Sequence, residues 1–141
     1  MNNMFTQPCF IRKNTPELRK KLEELGYNRH PSYGDNEYLY LNRGFYHTNV
    51  VGYSEEIERM IDCESNEELF LALAALRDDS NENQWFIAQD TMWDENYNGE
   101  ITVEYKEGEW LIWDYYSFMI DEPSYFRKAT VEEIIEHFNK K

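Results

Sequence analysis

The chain has 141 residues, 41% of them apolar and 30% charged, and carries 28 Asp and Glu against 14 Lys and Arg for a formal net charge of −14. That length suits a single domain over 1–141 with a sizeable core, and the composition excludes general disorder. A field of this sign repels nucleic acid and anionic membranes and attracts basic partners, although acidity also serves solubility alone.

The charge is unevenly spread. Six Lys and Arg against three Glu give the first thirty residues a net of +3, whereas 78–105 holds eight carboxylates and no Lys or Arg. No apolar run approaches the length needed to span a bilayer. The N-terminal MNNMFTQPCF has neither a basic start nor an apolar stretch, so a cytoplasmic location is expected. Cys9 and Cys63 fall in no metal or redox spacing and are expected to be reduced, packed thiols.

In chain order, CFIRK at 9–13 predicts a short strand. Thr15 followed by Pro16 predicts a helix start, Leu18, Leu22 and Leu25 a buried stripe, and Gly26 the stop, giving a helix over 15–25. Residues 27–36 are rich in turn formers. A strand at 38–41, a turn at Asn42-Arg43-Gly44 and a returning strand at 45–53 read as a hairpin. Residues 54–64 fit a helical face or a strand. SNEELFLALAALR at 65–77 predicts the central helix. Ser65 and Glu68 form a capping box, and the run of apolar residues from Leu69 to Leu76 implies burial on most sides.

Beyond a polar loop at 78–83, QWFIA predicts a buried strand. Strands at 101–105 and 110–116 follow, and the three read as an antiparallel meander. Thr130 and Glu133 form a second capping box, opening a last helix over 130–138 with Val131, Ile134, Ile135 and Phe138 inward. The expected fold is α+β: a mixed, mainly antiparallel sheet of five to six strands with about three helices packed on it.

The segments FIRKNTPELRKKLEELGY, DCESNEELFLALAALRDD with QWFIA after it, and YFRKATVEEIIEHF resemble small acidic α/β proteins encoded by bacteriophages and mobile elements of gut bacteria. The resemblance covers less than half of the chain and falls on structural segments. It implies a setting and no chemistry, and it does not extend to 27–60 or 89–120.

Few motifs carry chemistry. Asp94, Asn96, Asn98 and Gly99 match positions 1, 3, 5 and 6 of a calcium-binding loop, where alternate oxygens surround a hard cation. The bidentate Glu of position 12 is replaced by Tyr105, and Asn98-Gly99 is equally a hairpin-turn signal, so a turn is the expected reading. The acidic loop with Asp79 and Glu82 reads as solvated. His30, His47 and His137 fall in no metal spacing, and a nucleophile–base pair such as Cys63 with His47 has no local signature. No cofactor motif is present, so no cofactor is expected.

The aromatic content is high, at 16%. WLIWDYY carries large side chains on both faces, and the face away from the helices must meet something further. Trp110, Trp113, Tyr115 and Tyr116 beside Asp79, Glu82, Asp94 and Glu95 make an interface-like set. Three function classes follow. The first is a non-enzymatic acidic binding protein engaging a basic host protein through an acidic-aromatic surface. The second is a small-molecule binding or sequestering protein with an aromatic-lined pocket. The third is a small hydrolase using carboxylates or His.

Overall fold

The computed structural model describes residues 5–31, 37–48, 58–80, 82–95, 97–112 and 126–139, with Met92, Asp94, Thr102 and Val103 described in backbone only. The fold is α+β, as the sequence predicts. Contacts cluster into two compact units, 1–80 with 131–141, and 81–130.

In the first unit the described strands form one five-stranded sheet. They are β1 (Cys9–Ile11), β2 (Asn28–Arg29), β3 (Leu39–Asn42), β4 (Phe45–His47) and β5 (Ile61–Asp62), in the order β2-β4-β3-β1-β5. The sheet is mixed: β1 runs antiparallel to β3 and parallel to β5, and β2 runs parallel to β4. β3 and β4 are joined through Arg43 (φ 52) and Gly44 (φ 80), the two left-handed residues that a type I′ hairpin turn requires. The ambiguous stretch before the central helix resolves at its end into β5.

Helix α1 (Pro16–Leu25) begins as its sequence predicts. Thr15 Oγ1 accepts from the Leu18 N–H at 3.1 Å, with Pro at the first helical position. It ends in a Schellman motif. Gly26, at φ 112, donates to the Glu23 carbonyl and Tyr27 to the Leu22 carbonyl, both at 3.0 Å. Leu18 and Leu22 are fully buried. The Tyr27 hydroxyl, 2.8 Å from the Ala74 carbonyl, caps the end of the next helix, α2 (Glu67–Ala74).

Helix α2 is the core helix that the sequence predicts, with Leu69, Phe70, Ala72, Leu73 and Ala74 buried. It packs on β1 and against both α1 and α3 (Val131–Asn139). Its start differs from expectation, because the cap is Asn66 rather than Ser65. Asn66 Oδ1 accepts from the Leu69 N–H at 3.1 Å, and Asn66 Nδ2 donates to the Phe138 carbonyl at the end of α3 at 2.9 Å. An amide carries its acceptor and its donor on separate atoms and so spans two helix ends, whereas a Ser hydroxyl would have to accept and donate from a single oxygen. Local turning agrees with this: Glu64 takes φ 52, and the Asn66 N–H closes onto the Cys63 carbonyl at 2.9 Å. The helix also stops short of Arg77. Ala75 and Leu76 stay buried past its end, and the Leu76 carbonyl accepts from the Thr6 N–H at 3.2 Å.

The second unit corrects the predicted meander. β6 (Trp85–Ala88) pairs directly with β9 (Trp110–Ile112) and, on its other edge, with β10 (Phe126–Lys128). The strand at Ile101–Tyr105, β8, pairs instead with β7 (Met92–Glu95), whose sequence MWDE has no apolar–polar alternation to announce it. Partner residue numbers add to the same total in most of both ladders, as Trp85↔Ile112 and Met92↔Tyr105 illustrate. β6–β9 and β7–β8 are therefore the base and the arm of one long antiparallel ribbon, pinched between them. Phe86, Ala88 and Phe126 form the buried cluster at the base, with Tyr105 and Leu111 packed against it.

Candidate functional site

The neck of the ribbon explains why the arm is a separate sheet. Gly108 and Glu109 both lie opposite Ala88. Its carbonyl accepts from the Gly108 N–H at 2.8 Å and its N–H donates to the Glu109 carbonyl at 2.9 Å. With Gly108 at φ 86 this is a G1-type bulge, which bends a strand and raises its twist. The Glu109 N–H closes a turn onto the Lys106 carbonyl at 2.9 Å, and the Glu109 carboxylate accepts from the Lys106 N–H at 2.9 Å. The Glu107 N–H reaches across to Thr91 Oγ1 at 3.3 Å. The arm is anchored at its root by Tyr105, which meets Phe126 edge to face with ring centroids 5.2 Å apart.

Beyond that root the described side chains of the arm are exposed. Trp93 is 55% and Ile101 59% accessible, and Tyr97 in the end loop is fully so. Residues 90–109 carry seven carboxylates and one Lys. Trp93 sits opposite Glu104 in the ladder. Its indole N–H donates to the Glu95 carboxylate on the same strand at 3.3 Å, so Trp93 has one acidic neighbour along its strand and another across the ladder. Asp94 pairs with Val103 and Glu95 with Ile101, so Thr102 is an extra residue and the ladder is bulged there. Residues 97–100 lie in the loop that precedes β8. Gly99 takes φ 83 while Asn98 is not among the left-handed residues, so the turn is not the two-residue type I′ form that Asn98-Gly99 suggests.

The sequence-predicted site residues distribute as follows. Glu95 lies on the arm, exposed. Asp94 is on β7, described in backbone only, and Asn98 is in the loop. Asn96 lies outside the described residues, and so do Trp113, Tyr115 and Tyr116. Trp110 is half-buried on β9 at the base, with its ring 6.3 Å from that of Trp85. Asp79 belongs to the first unit. There Arg77 grips it through two hydrogen bonds, of 2.8 and 3.1 Å, which hold its carboxyl below the usual carboxylate range. Glu82 is exposed in the second unit. Sequence reasoning missed Trp93. The available signal was MWDE and ITVEY flanking a Gly-containing turn.

Elsewhere, His47 is stacked between His30 and Tyr40, with centroids at 4.4 and 4.3 Å. Burial and the neighbouring imidazole lower its pKa to about 4. Cys9 and Cys63 are buried and unlinked, and burial together with the Cys63 thiol raises the Cys9 pKa. An open cleft of about 490 Å³ at the junction of α2 and α3 is lined by Ser65, Asn66, Glu67, Glu68, Phe138 and Asn139, a polar lining with one aromatic ring. Among the described residues no group of three or more His, Cys, Asp or Glu is placed to hold a metal, and no helix is long and apolar enough to cross a membrane. Comparison with protein-family models, with curated proteins and with solved structures finds no match.

Proposed function

We propose that this chain is a binding protein, not an enzyme, and that the β7–β8 arm engages a basic partner protein. The observation that carries this reading is the arm itself. Trp93, Tyr97 and Ile101 are exposed together on a two-stranded projection whose charge is almost wholly negative. Exposed aromatic side chains cost solubility unless they are covered part of the time, and aromatic anchors ringed by charge are what interfaces use. The carboxylates steer a basic surface inward, and Trp93 and Tyr97 hold it once docked. In the phage or mobile-element setting that the resemblance implies, that partner is a host protein.

The test is affinity capture from the host, with the wild type compared with Trp93→Ala/Tyr97→Ala and with Glu95→Lys/Glu104→Lys. The reading expects a basic protein held by the wild type, lost in both variants and released by salt. The same captured set with all three chains contradicts it.

A further inference from the structure

We propose that the face of the arm carrying Trp93 binds an arginine side chain of the basic partner, and that lysine is a poor substitute there. This rests on the reading above and adds the chemical group that the arm selects. Three observations support it. The first is that four exposed side chains share one face of the β7–β8 ribbon. Trp93 and Glu95 are two apart on β7 and so point the same way, and their ladder partners Glu104 and Ile101 stand beside them. The bulge at Thr102 decides the last of these. In an unbroken ladder Thr102 would face Glu95, and the extra residue puts Ile101 there instead.

The second observation is that the four alternate in kind. Trp93 faces Glu104 and Glu95 faces Ile101, so the apolar pair lies on one diagonal and the carboxylates on the other. Trp93 and Ile101 are both more than half accessible. This checkerboard suits a ligand that is apolar and cationic at once, as a long basic side chain is, with its methylene stem and charged head. The third observation is that the Trp93 ring is tethered by its edge. Its N–H donates to the Glu95 carboxylate at 3.3 Å, an in-plane bond that orients the ring without using its π-face. Ladder partners hold their Cβ atoms about 4.5–5.5 Å apart, so the exposed Glu104 carboxylate is within reach of a cation lying on that ring.

These features separate arginine from lysine. A guanidinium is planar and weakly hydrated, stacks on an indole, and presents a fork of N–H donors that meets a carboxylate through two parallel hydrogen bonds. On Trp93 it can turn that fork to Glu104 while its stem runs over the apolar diagonal. An ammonium is a compact, strongly hydrated point charge and gains less on both counts.

The experiment follows the Trp93 indole N–H resonance of the full chain by NMR in physiological salt. The chain is titrated with nine-residue Gly-Ser peptides that carry three arginines, three lysines or three citrullines. Citrulline keeps the shape of arginine and removes its charge. The resonance is the one, among those of the four Trp residues, that is lost in Trp93→Phe. The proposal expects the arginine peptide to shift it and to bind at least about fivefold more tightly than the lysine peptide, and the citrulline peptide to leave it in place. Glu104→Gln, which keeps the side-chain shape, should bring the arginine peptide down to the lysine level. Arginine and lysine peptides that bind equally overturn the selectivity and leave the acidic-aromatic surface standing. An arginine peptide that binds without moving the Trp93 resonance, or binds Glu104→Gln as it binds wild type, overturns the site and leaves the basic partner to other carboxylates of the arm. A citrulline peptide that binds as the arginine peptide does overturns the role of charge. No binding by either cationic peptide overturns the proposal, and the reading beneath it falls as well only if capture from the host yields no basic protein that is lost in Trp93→Ala/Tyr97→Ala.

Discussion

Asn66 offers the sharpest perturbation of the fold, because one amide serves two helix ends. Replacing it by Ala removes the cap on the Leu69 N–H and the donor to the Phe138 carbonyl. A lost cap costs about 1 kcal/mol, and a lost hydrogen bond of ordinary strength about 0.5–1.5 kcal/mol. Asn66 is half-buried, so water can partly satisfy the Phe138 carbonyl, and the total should be about 1.5–2 kcal/mol. In a chain of this length that lowers the melting temperature by several degrees. Asn66→Asp keeps the acceptor and loses the donor, so it should fall between Ala and wild type. Ser65→Ala should change little, since Ser65 is not the cap. Urea denaturation by circular dichroism gives the three free energies, and hydrogen exchange at the Leu69 amide reports the cap itself. If Ser65→Ala costs as much as Asn66→Ala, the two-helix role of Asn66 is refuted and the capping box is restored.

Three further outcomes follow from the first unit. His47 has a folded pKa of about 4 against an ordinary 6.5, so the unfolded chain takes up a proton that the folded chain refuses. Its contribution to stability is full above about pH 6.5 and is lost as pH falls towards 4, by about 1–2 kcal/mol once half-exposure is allowed for. Denaturation of wild type and His47→Phe across that range isolates the effect from the carboxylates, and a pH-independent difference contradicts it. Gly26→Ala forces a side chain to φ 112 and sets a Cβ about 3.2 Å from Arg77 Nη1 and 3.3 Å from Phe5, so it should cost at least about 1 kcal/mol. A melting temperature equal to wild type would show that the αL cap is dispensable. Leu73→Ala should cost about 2–5 kcal/mol and Leu73→Asp should unfold the first unit, since the side chain is fully buried; a cooperative transition unchanged by Asp would make α2 peripheral.

Local signals were readable where the physics is local. Thr15-Pro16 and Gly26 bound α1 because a hydroxyl cap, a fixed φ and a left-handed stop act within a few residues. Arg43-Gly44 turned as expected for the same reason. Ser65 misled because the choice of cap depends on Phe138, 72 residues away, and no local pattern carries that contact. The parallel pairing of β1 with β5 is equally non-local. β7 escaped notice because MWDE sets two apolar residues before two acidic ones, which is not the period-two alternation that marks a half-buried strand. The aromatic surface was expected at 110–116, where apolar density is greatest. Trp110 is half-buried at the base and 113–116 lie outside the described residues, while among the described residues Phe45, Trp93 and Tyr97 are the exposed rings.

The central claim is that carboxylates of the arm bring a basic partner in and its aromatic side chains keep it there. The most direct measurement is the association and dissociation rate of the captured partner against the immobilised chain over a range of salt. The account predicts an association rate that falls steeply with ionic strength and drops about tenfold or more in Glu95→Lys/Glu104→Lys, with dissociation little changed. Trp93→Ala/Tyr97→Ala should do the reverse, raising the dissociation rate and sparing association. An association rate insensitive to salt, with both variants binding as wild type does, would contradict it and leave the acidity of the arm a matter of solubility.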